Sequence, residues 1–127
     1  MEQLNKVLIV DDDLVARFLV ERILTKKKVS KQIVTASNGE EALAVLNNIN
    51  SQETYPDLIF LDIKMPVMDG FEFLEALQHS ELSKLPIKIV LLTSSFNQQD
   101  VERAKNYSVA VYLIKPLIGE NLSTIMI

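Results

Sequence analysis

Short apolar runs alternate along the chain with segments in which apolar residues recur every three or four positions. Four runs, at residues 7–10, 58–61, 87–92 and 109–114, have the length and composition of strands. Three of the four are apolar enough to be buried on both faces of a sheet. A weaker fifth run, at residues 33–36, has the β-branched bias expected of an edge strand. The pattern therefore predicts five strands.

The segments between the predicted strands have the period of amphipathic helices. After the first strand, Val15, Leu19 and Ile23 recur at intervals of four residues. Phe18 lies alongside these three residues on the first helix. Further along the chain, Asn38 is placed to cap a second helix. The later helices are marked by Ala42, Leu46 and Ile49, by Phe71, Leu74 and Leu77, by Val101 and Ala104, and by Leu122, Ile125 and Met126. Strands that alternate with helices pair in parallel, with helices on both faces. We therefore predict a five-stranded, doubly wound (βα)5 fold of the α/β class.

Composition limits the size of the fold and the kinds of function it can carry. A chain of 127 residues with 48% apolar residues suits one domain, predicted to span residues 1–127. The net charge of −4 gives no general attraction to nucleic acid or anionic membranes, and neither partner is expected. Cysteine is absent, which excludes thiolate chemistry and Cys-based zinc sites. No apolar run approaches the ~20 residues that span a bilayer, and no signal peptide is evident, so a cytoplasmic location is predicted.

Reactive side chains follow four of the predicted strands. In open parallel sheets, ligands bind beyond the carboxyl ends of the strands. The residues found there are Asp11 and Asp12, Asp62, Thr93 and Lys115. Any one aspartate at a strand end could simply cap the next helix. Three carboxylates at one edge of a sheet, however, repel one another unless a bound group balances them.

This set of groups predicts phosphoryl chemistry with a bound magnesium ion. Asp11, Asp12 and Asp62 supply the hard oxygen ligands that Mg²⁺ prefers. Asp62 can then act as a nucleophile toward phosphorus. Thr93 and Lys115 would meet the oxygens of the incoming phosphoryl group, an arrangement that suits phosphoryl transfer. The catalytic group predicted from these positions is Asp62, Thr93 and Lys115.

The motifs that carry these residues resemble those of a known family. They are VLIVDDD at residues 7–13, LDIKMPVMDG at 61–70, LLTSS at 91–95 and LIKP at 113–116. Together they resemble the response-regulator receiver domain of two-component signalling, over essentially the whole chain. The run of three aspartates leaves the register of the acidic pair open. In the family a basic residue often follows the second acid by five positions, and Arg17 stands five after Asp12, so the pair is assigned to Asp11 and Asp12.

The resemblance implies roles for the metal-binding residues and for the fold. The sheet would be flavodoxin-like, with strand order 2-1-3-4-5. Asp62 would be the phosphorylated residue and would bind Mg²⁺ directly together with Asp12, while Asp11 could act through water. The backbone carbonyl of Lys64 would be a further metal ligand. The side chain of Lys64, with Ser95, would tune how long the phosphoryl group lasts.

The resemblance also implies a switch and a set of partners. Thr93 would move toward the phosphoryl oxygens, Tyr112 would follow it inward, and Lys115 would contact the phosphoryl group. The peptide bond between Lys115 and Pro116 is expected to be cis. A histidine kinase or phosphotransfer protein would be the donor. The fourth helix, fifth strand and fifth helix, roughly residues 97–127, would bind a downstream protein or a second copy of the chain. The domain would be a signalling module whose only catalysis is of its own phosphorylation and dephosphorylation.

Two alternative functions compete with this interpretation. The sequence DDDLV at residues 11–15 also fits the motif of haloacid-dehalogenase-type phosphatases, in which Asp11 would be the nucleophile. That family needs a further acidic pair after the lysine, whereas Glu120 alone follows Lys115. The second alternative is an interaction module that keeps the receiver fold without being phosphorylated.

Overall fold

Five parallel strands form one sheet, and helices connect them. The computed structural model describes residues 3–49, 54–94 and 97–126. The strands are β1 (Leu4–Val10), β2 (Ser30–Ala36), β3 (Leu58–Leu61), β4 (Lys88–Thr93) and β5 (Val111–Ile114). The helices are α1 (Leu14–Lys26), α2 (Gly39–Asn47), α3 (Gly70–Gln78), α4 (Gln98–Ala104) and α5 (Gly119–Ile125), with a short 3₁₀ helix at Glu81–Lys84. The strand order is β2-β1-β3-β4-β5, which confirms the predicted fold.

Burial of the strands follows their apolar content. All four residues of β3 are buried, as are the last five of β1 and of β4. The outer strand β2 keeps Lys31, Gln32 and Thr35 exposed, as expected of an edge strand. β5 forms the other edge and is two residues shorter at its start than the apolar run at residues 109–114 indicates. The central strands therefore hold the interior of the sheet.

Alternate residues of the central strands point to opposite faces and form two separate cores. Leu58 and Phe60 of β3 belong to the core under α1 and α5, whereas Ile59 and Leu61 belong to the core under α2, α3 and α4. Each fully buried side chain of this size stabilises the fold by about 1.5–3 kcal/mol. The helices are thus fixed on both faces, and the loops at the carboxyl ends of the strands lie between them.

Most of the apolar residues that show the period of α1 lie away from its buried side, although Ile23 packs against the core. Val20 and Leu24 are the buried residues of this helix. Val15, Phe18 and Leu19 are 64%, 59% and 50% exposed. Val15 and Leu24 are nine residues apart in the sequence, or about 2.5 turns, which places them on opposite sides of the helix. The periodicity predicted the helix correctly, but α1 leaves a large apolar surface uncovered.

The parallel register brings the ends of four strands to one edge of the sheet. Val10 of β1 pairs with Leu61 of β3, and Thr93 of β4 pairs with Ile114 of β5. The residues that follow these strands therefore start from neighbouring positions. None of the helices in the described part of the chain is both long and apolar enough to cross a membrane.

Candidate functional site

Three aspartates meet at the carboxyl edge of the sheet. One carboxylate oxygen from each of Asp11, Asp12 and Asp62 lies within 4.8 Å of the other two. Asp11 and Asp62 are only 4% and 7% exposed, whereas Asp12 is open to solvent. The ammonium nitrogen of Lys115 lies 2.6 Å from Oδ2 of Asp11 and 3.4 Å from Oδ2 of Asp62. The structure therefore brings together the four charged residues predicted from the strand ends.

Hydrogen bonds hold the backbone around Asp62, and the backbone at Gly70 lies directly against it. The Asp62 amide donates to the carbonyl of Val10 at 2.9 Å, which extends the pairing of β1 with β3. The Ile63 amide donates to Oδ1 of Asp62 at 2.9 Å, and the Gly70 amide donates to the carbonyl of Ile63 at 2.7 Å. A Cβ at Gly70 would collide with the carbonyl oxygen of Asp62 and lie 2.9 Å from Cα of Ile63. Glycine is therefore required where α3 begins.

The three consecutive aspartates have different roles in the structure. Asp13 caps α1, because its Oδ1 accepts hydrogen bonds from the amides of Val15 at 2.9 Å and Ala16 at 3.4 Å. The Asp13 amide donates to Oδ1 of Asp11 at 2.9 Å, which orients the Asp11 carboxylate. Asp13 is not part of the carboxylate cluster found among the described residues. The geometry thus brings Asp11 and Asp12, and not Asp13, close to Asp62, in agreement with the register that Arg17 indicated.

Burial and like charge dominate the electrostatics of the site. Burial, together with the neighbouring Asp11 carboxylate, raises the pKa of Asp62 above its ordinary value. Lys115 and the Ile63 amide lower this pKa, but they do not fully offset the effects of burial and Asp11. Burial opposes the charged form of Lys115, but its hydrogen bond to Asp11 and the charges of Asp62 and Asp11 outweigh burial, so the pKa of Lys115 is raised. The site therefore carries more negative charge than Lys115 alone can balance.

The remaining predicted residues lie around this cluster. Thr93 ends β4 and is buried, and its carbonyl accepts a hydrogen bond from the Lys115 amide at 2.8 Å. Tyr112 is half-buried on β5, opposite Leu91, and burial raises its pKa, with a smaller contribution from Asp100. The Lys115–Pro116 peptide bond is cis. The side chain of Lys64 is exposed in the loop after Asp62, and Ser95 lies outside the described residues.

One contact at the site could not be expected from sequence reasoning. Nη1 of Arg17 donates to the backbone carbonyl of Asp11 at 2.7 Å and to Oγ of Ser37 at 3.2 Å. The spacing of Arg17 from the acidic pair was its only signal in the sequence. Ser37 had no signal, because it follows the weakest of the predicted strands.

The family model of the response regulator receiver domain matches residues 7–126. The chain belongs to this family. Receiver domains are signalling domains that accept a phosphoryl group from histidine kinases, and the carboxylate cluster described above is their acidic metal pocket. Neither the phosphatase alternative nor the unphosphorylated module is better supported.

Relatives and solved structures agree with this assignment. The chain is 32% identical over 121 residues to the sensor histidine kinase CheAY of Helicobacter pylori, an alignment that covers 94% of this chain and 14% of that protein. The chain spans less than half the length of this and the next two curated relatives that it matches. A solved two-component response regulator from Cytophaga hutchinsonii has a TM-score of 0.89 at 28% identity, covering 98% of this chain and 96% of that one.

A further solved receiver carries a divalent ion. The Mn²⁺-bound form of response regulator Rcp1 has a TM-score of 0.77 at 28% identity, covering 94% of this chain and 87% of that one. The donor set here fits such an ion, because three hard carboxylate oxygens lie within 4.8 Å of one another. Two of the three aspartates are buried, so a bound cation would relieve their repulsion.

Proposed function

We propose that Asp62 accepts a phosphoryl group from the phosphohistidine of a histidine kinase or phosphotransfer protein, in a Mg²⁺-dependent reaction. The observation that carries this proposal is the cluster of Asp11, Asp12 and Asp62 with Lys115 at its edge. The Asp62 carboxylate forms the new bond to phosphorus while the bond from phosphorus to the donor nitrogen breaks. We also propose that the protein is located in the cytoplasm.

The surrounding residues have distinct tasks in this scheme. Asp12 and Asp62, with the backbone carbonyl of Lys64, would bind Mg²⁺ directly, and Asp11 would act through water. The bound ion supplies positive charge that offsets the carboxylates and the developing phosphoryl charge. The Ile63 amide holds Oδ1 of Asp62 and so limits rotation of the nucleophile. Lys115 is close enough to Asp62 to contact an incoming phosphoryl oxygen.

Phosphorylation would then bias a conformational equilibrium. A phosphoryl group adds negative charge and acceptor oxygens to the site. If Thr93 and Lys115 engage those oxygens in one conformation only, that conformation becomes more populated. Tyr112 would follow Thr93 inward. Because Tyr112 lies on β5 and Lys115 directly follows this strand, a change at the site acts on β5 without an intermediate element.

The output surface in this proposal is formed by α4, β5 and α5. It would bind a downstream protein or a second copy of the chain. Ile114 and Ile118 are exposed here, the first at the end of β5 and the second directly before α5. In this proposal Ile114 and Ile118 supply apolar contacts to the partner.

Incubation with acetyl phosphate and Mg²⁺ tests the proposed reaction. The acyl phosphate is trapped with borohydride and located by mass spectrometry. A label on Asp62 supports the proposal, a label on Asp11 supports the phosphatase alternative, and no label supports the unphosphorylated module. The variant Asp62→Asn should form no adduct. The matched control is Asp13→Asn, which keeps a capping side chain on α1 and should be labelled like the unmodified protein.

A further inference from the structure

Arg17 joins two loops at the edge of the metal pocket. It lies in the first turn of α1, and its side chain is half-buried although Phe18 and Leu19 beside it are exposed. One of its nitrogens, Nη1, donates to the carbonyl of Asp11 at 2.7 Å and to Oγ of Ser37 at 3.2 Å. Asp11 directly follows β1, and Ser37 directly follows β2. The guanidinium group therefore connects the ends of two neighbouring strands.

The connection begins where the backbone pairing of these strands ends. The last paired residues are Val10 and Ala36, and the Asp11 amide donates to the carbonyl of Ala36 at 3.1 Å. The next acceptor after the end of β1 is the carbonyl of Asp11. It accepts a hydrogen bond from the Arg17 side chain and not from the backbone of β2. Arg17 thus extends the link between β1 and β2 past the strands themselves.

The peptide that Arg17 holds is the one between two of the clustered aspartates. The carbonyl of Asp11 belongs to the peptide group that joins Asp11 to Asp12, so its orientation sets how the two carboxylates are spaced. A hydrogen bond from a charged donor is roughly twice as strong as a neutral one. The planar guanidinium also has a fixed geometry that an ammonium group lacks. Held in this way, the acidic pair needs less rearrangement when a cation binds.

We propose that Arg17 is a positioning residue for Mg²⁺, which orients the Asp11–Asp12 peptide by bridging it to Ser37. This inference rests on the proposed function of the site, since it assumes that Asp12 is a metal ligand. It requires the bridge itself and not only a positive charge near the carboxylates. Partners that orient metal ligands typically contribute about 10–100-fold to metal affinity.

Four variants separate the bridge from the charge. Arg17→Met removes both, Arg17→Lys keeps the charge, and Ser37→Ala removes one end of the bridge. Arg22→Met is the matched control, because Arg22 is an exposed arginine on the same helix. Mg²⁺ binding to the unphosphorylated protein is measured by calorimetry. The Mg²⁺ concentration for half-maximal labelling by acetyl phosphate is measured alongside the maximal rate.

We expect Arg17→Met to weaken Mg²⁺ binding by about 10-fold, with a similar rise in the half-maximal Mg²⁺ concentration. The maximal rate at saturating Mg²⁺ should be unchanged. Ser37→Ala should weaken Mg²⁺ binding to a smaller extent. Arg17→Lys should bind Mg²⁺ as weakly as Arg17→Met does. Arg22→Met should behave like the unmodified protein. Hydrogen exchange of the Asp13 amide should quicken in Arg17→Met, because its acceptor Asp11 is less firmly held.

Unchanged Mg²⁺ affinity in Arg17→Met overturns the inference. An Mg²⁺ affinity of Arg17→Lys equal to that of the unmodified protein also overturns it, because the effect would then depend on charge and not on the bridge. If Arg17→Met does not fold, Ser37→Ala decides, and an affinity equal to that of the unmodified protein rejects the bridge. These failures differ from failure of the proposed function. In that case the unmodified protein itself would bind no Mg²⁺ or would not be labelled on Asp62.

Discussion

The ammonium group of Lys115 lies 2.6 Å from the carboxylate of Asp11. The distance from Lys115 to Asp62 is longer, at 3.4 Å. Lys115 therefore compensates Asp11 more closely than the proposed phosphoacceptor, and burial together with Asp11 keeps the pKa of Asp62 raised. The ionised form of Asp62 is thus a source of instability in the metal-free protein, and its effect depends on pH.

Replacement of Asp62 by asparagine should stabilise the metal-free protein at neutral pH. Because the folded pKa of Asp62 lies above the unfolded one, the folded state binds its proton more tightly. Asp62 therefore costs no stability below its ordinary pKa and reduces stability as pH rises through the raised folded value. Asp62→Asn should therefore raise the free energy of unfolding at neutral pH. Urea unfolding in chelator at several pH values measures this difference.

The gain from Asp62→Asn should shrink as the solution is made more acidic, since the unmodified protein is then protonated at Asp62. Asp13→Asn serves as the control, because Asp13 caps α1 outside the cluster and asparagine is an equally good cap. If Asp62→Asn loses stability at neutral pH, or gains it equally at every pH, the buried charge of Asp62 does not destabilise the folded protein.

Magnesium should stabilise the unmodified protein against heat. A ligand that binds only the folded state adds about 2.7 kcal/mol at a concentration 100 times its Kd. Asp12→Asn removes one carboxylate of the cluster and should reduce this effect. The measurement is the thermal midpoint in MgCl2 against NaCl of equal ionic strength. An increase that persists in full in Asp12→Asn would exclude the carboxylate cluster as the binding site.

The affinity for Mg²⁺ should also fall as pH is lowered, because a protonated carboxyl is a poor metal ligand. The pKa of Asp62 is raised, so the loss should begin at a higher pH than an ordinary aspartate would give. Calorimetric titration across the acidic range measures where it begins. A loss confined to the ordinary titration range of aspartate would show that Asp62 does not limit binding.

The position of the site residues could be predicted because strand ends in a parallel sheet share one edge. Asp62 follows a run whose predicted and observed bounds, residues 58–61, are the same, and Lys115 follows β5 although that strand begins later than predicted. Rotation of α1 could not be predicted, because its period does not show which side meets the sheet. The Arg17 side chain, on α1, donates to Ser37, which lies 20 positions later in the sequence. No local sequence pattern predicts a contact at this separation.

Substitution of Gly70 by alanine should destabilise the fold and disturb the site together. A Cβ here meets the backbone of Asp62 and Ile63, which cannot rotate away as a side chain can. Overpacking of this kind typically costs about 1–3 kcal/mol. Urea unfolding measures the loss, and calorimetry should show weaker Mg²⁺ binding because Asp62 is displaced.

Gly119→Ala is the matched control for Gly70. The nearest atom to a Cβ at Gly119 is Cε of Lys27, at 3.4 Å, which belongs to a flexible side chain. Alanine is also a better helix former than glycine, by about 1 kcal/mol in a helix interior. Gly119→Ala should therefore be neutral or slightly stabilising. Equal losses in the two variants would refute the close approach at Gly70.

The two sides of α1 should respond very differently to truncation. Leu24 is fully buried in the core under α1 and α5, and Leu24→Ala should cost about 2–5 kcal/mol. Phe18 is 59% exposed, and Phe18→Ala should change the free energy of unfolding by less than about 0.5 kcal/mol. Chemical unfolding of both variants tests the rotation of the helix. A larger loss for Phe18→Ala would place the apolar side marked by Val15 and Leu19 against the sheet.

Replacement of Val67 by glycine should stabilise the protein. Val67 has a φ of 69°, and the Met68 amide donates to the carbonyl of Pro66 at 2.8 Å across it, which closes a γ-turn. A β-branched residue is strained in this region, at a cost of about 1–3 kcal/mol. The side chain is 73% exposed, so its removal sacrifices little packing. After the entropy cost of about 0.5–1 kcal/mol for glycine, a net gain of about 1 kcal/mol is expected.

Lys28 offers a comparison for Val67, because it also has a positive φ, of 53°, and follows the end of α1. Its unbranched side chain fits the left-handed region better, so Lys28→Gly should gain less than Val67→Gly. Both gains are read from chemical unfolding in chelator, where metal binding does not contribute. If Val67→Gly is instead less stable than the unmodified protein, the loop between Asp62 and Gly70 does not hold Val67 in a strained conformation.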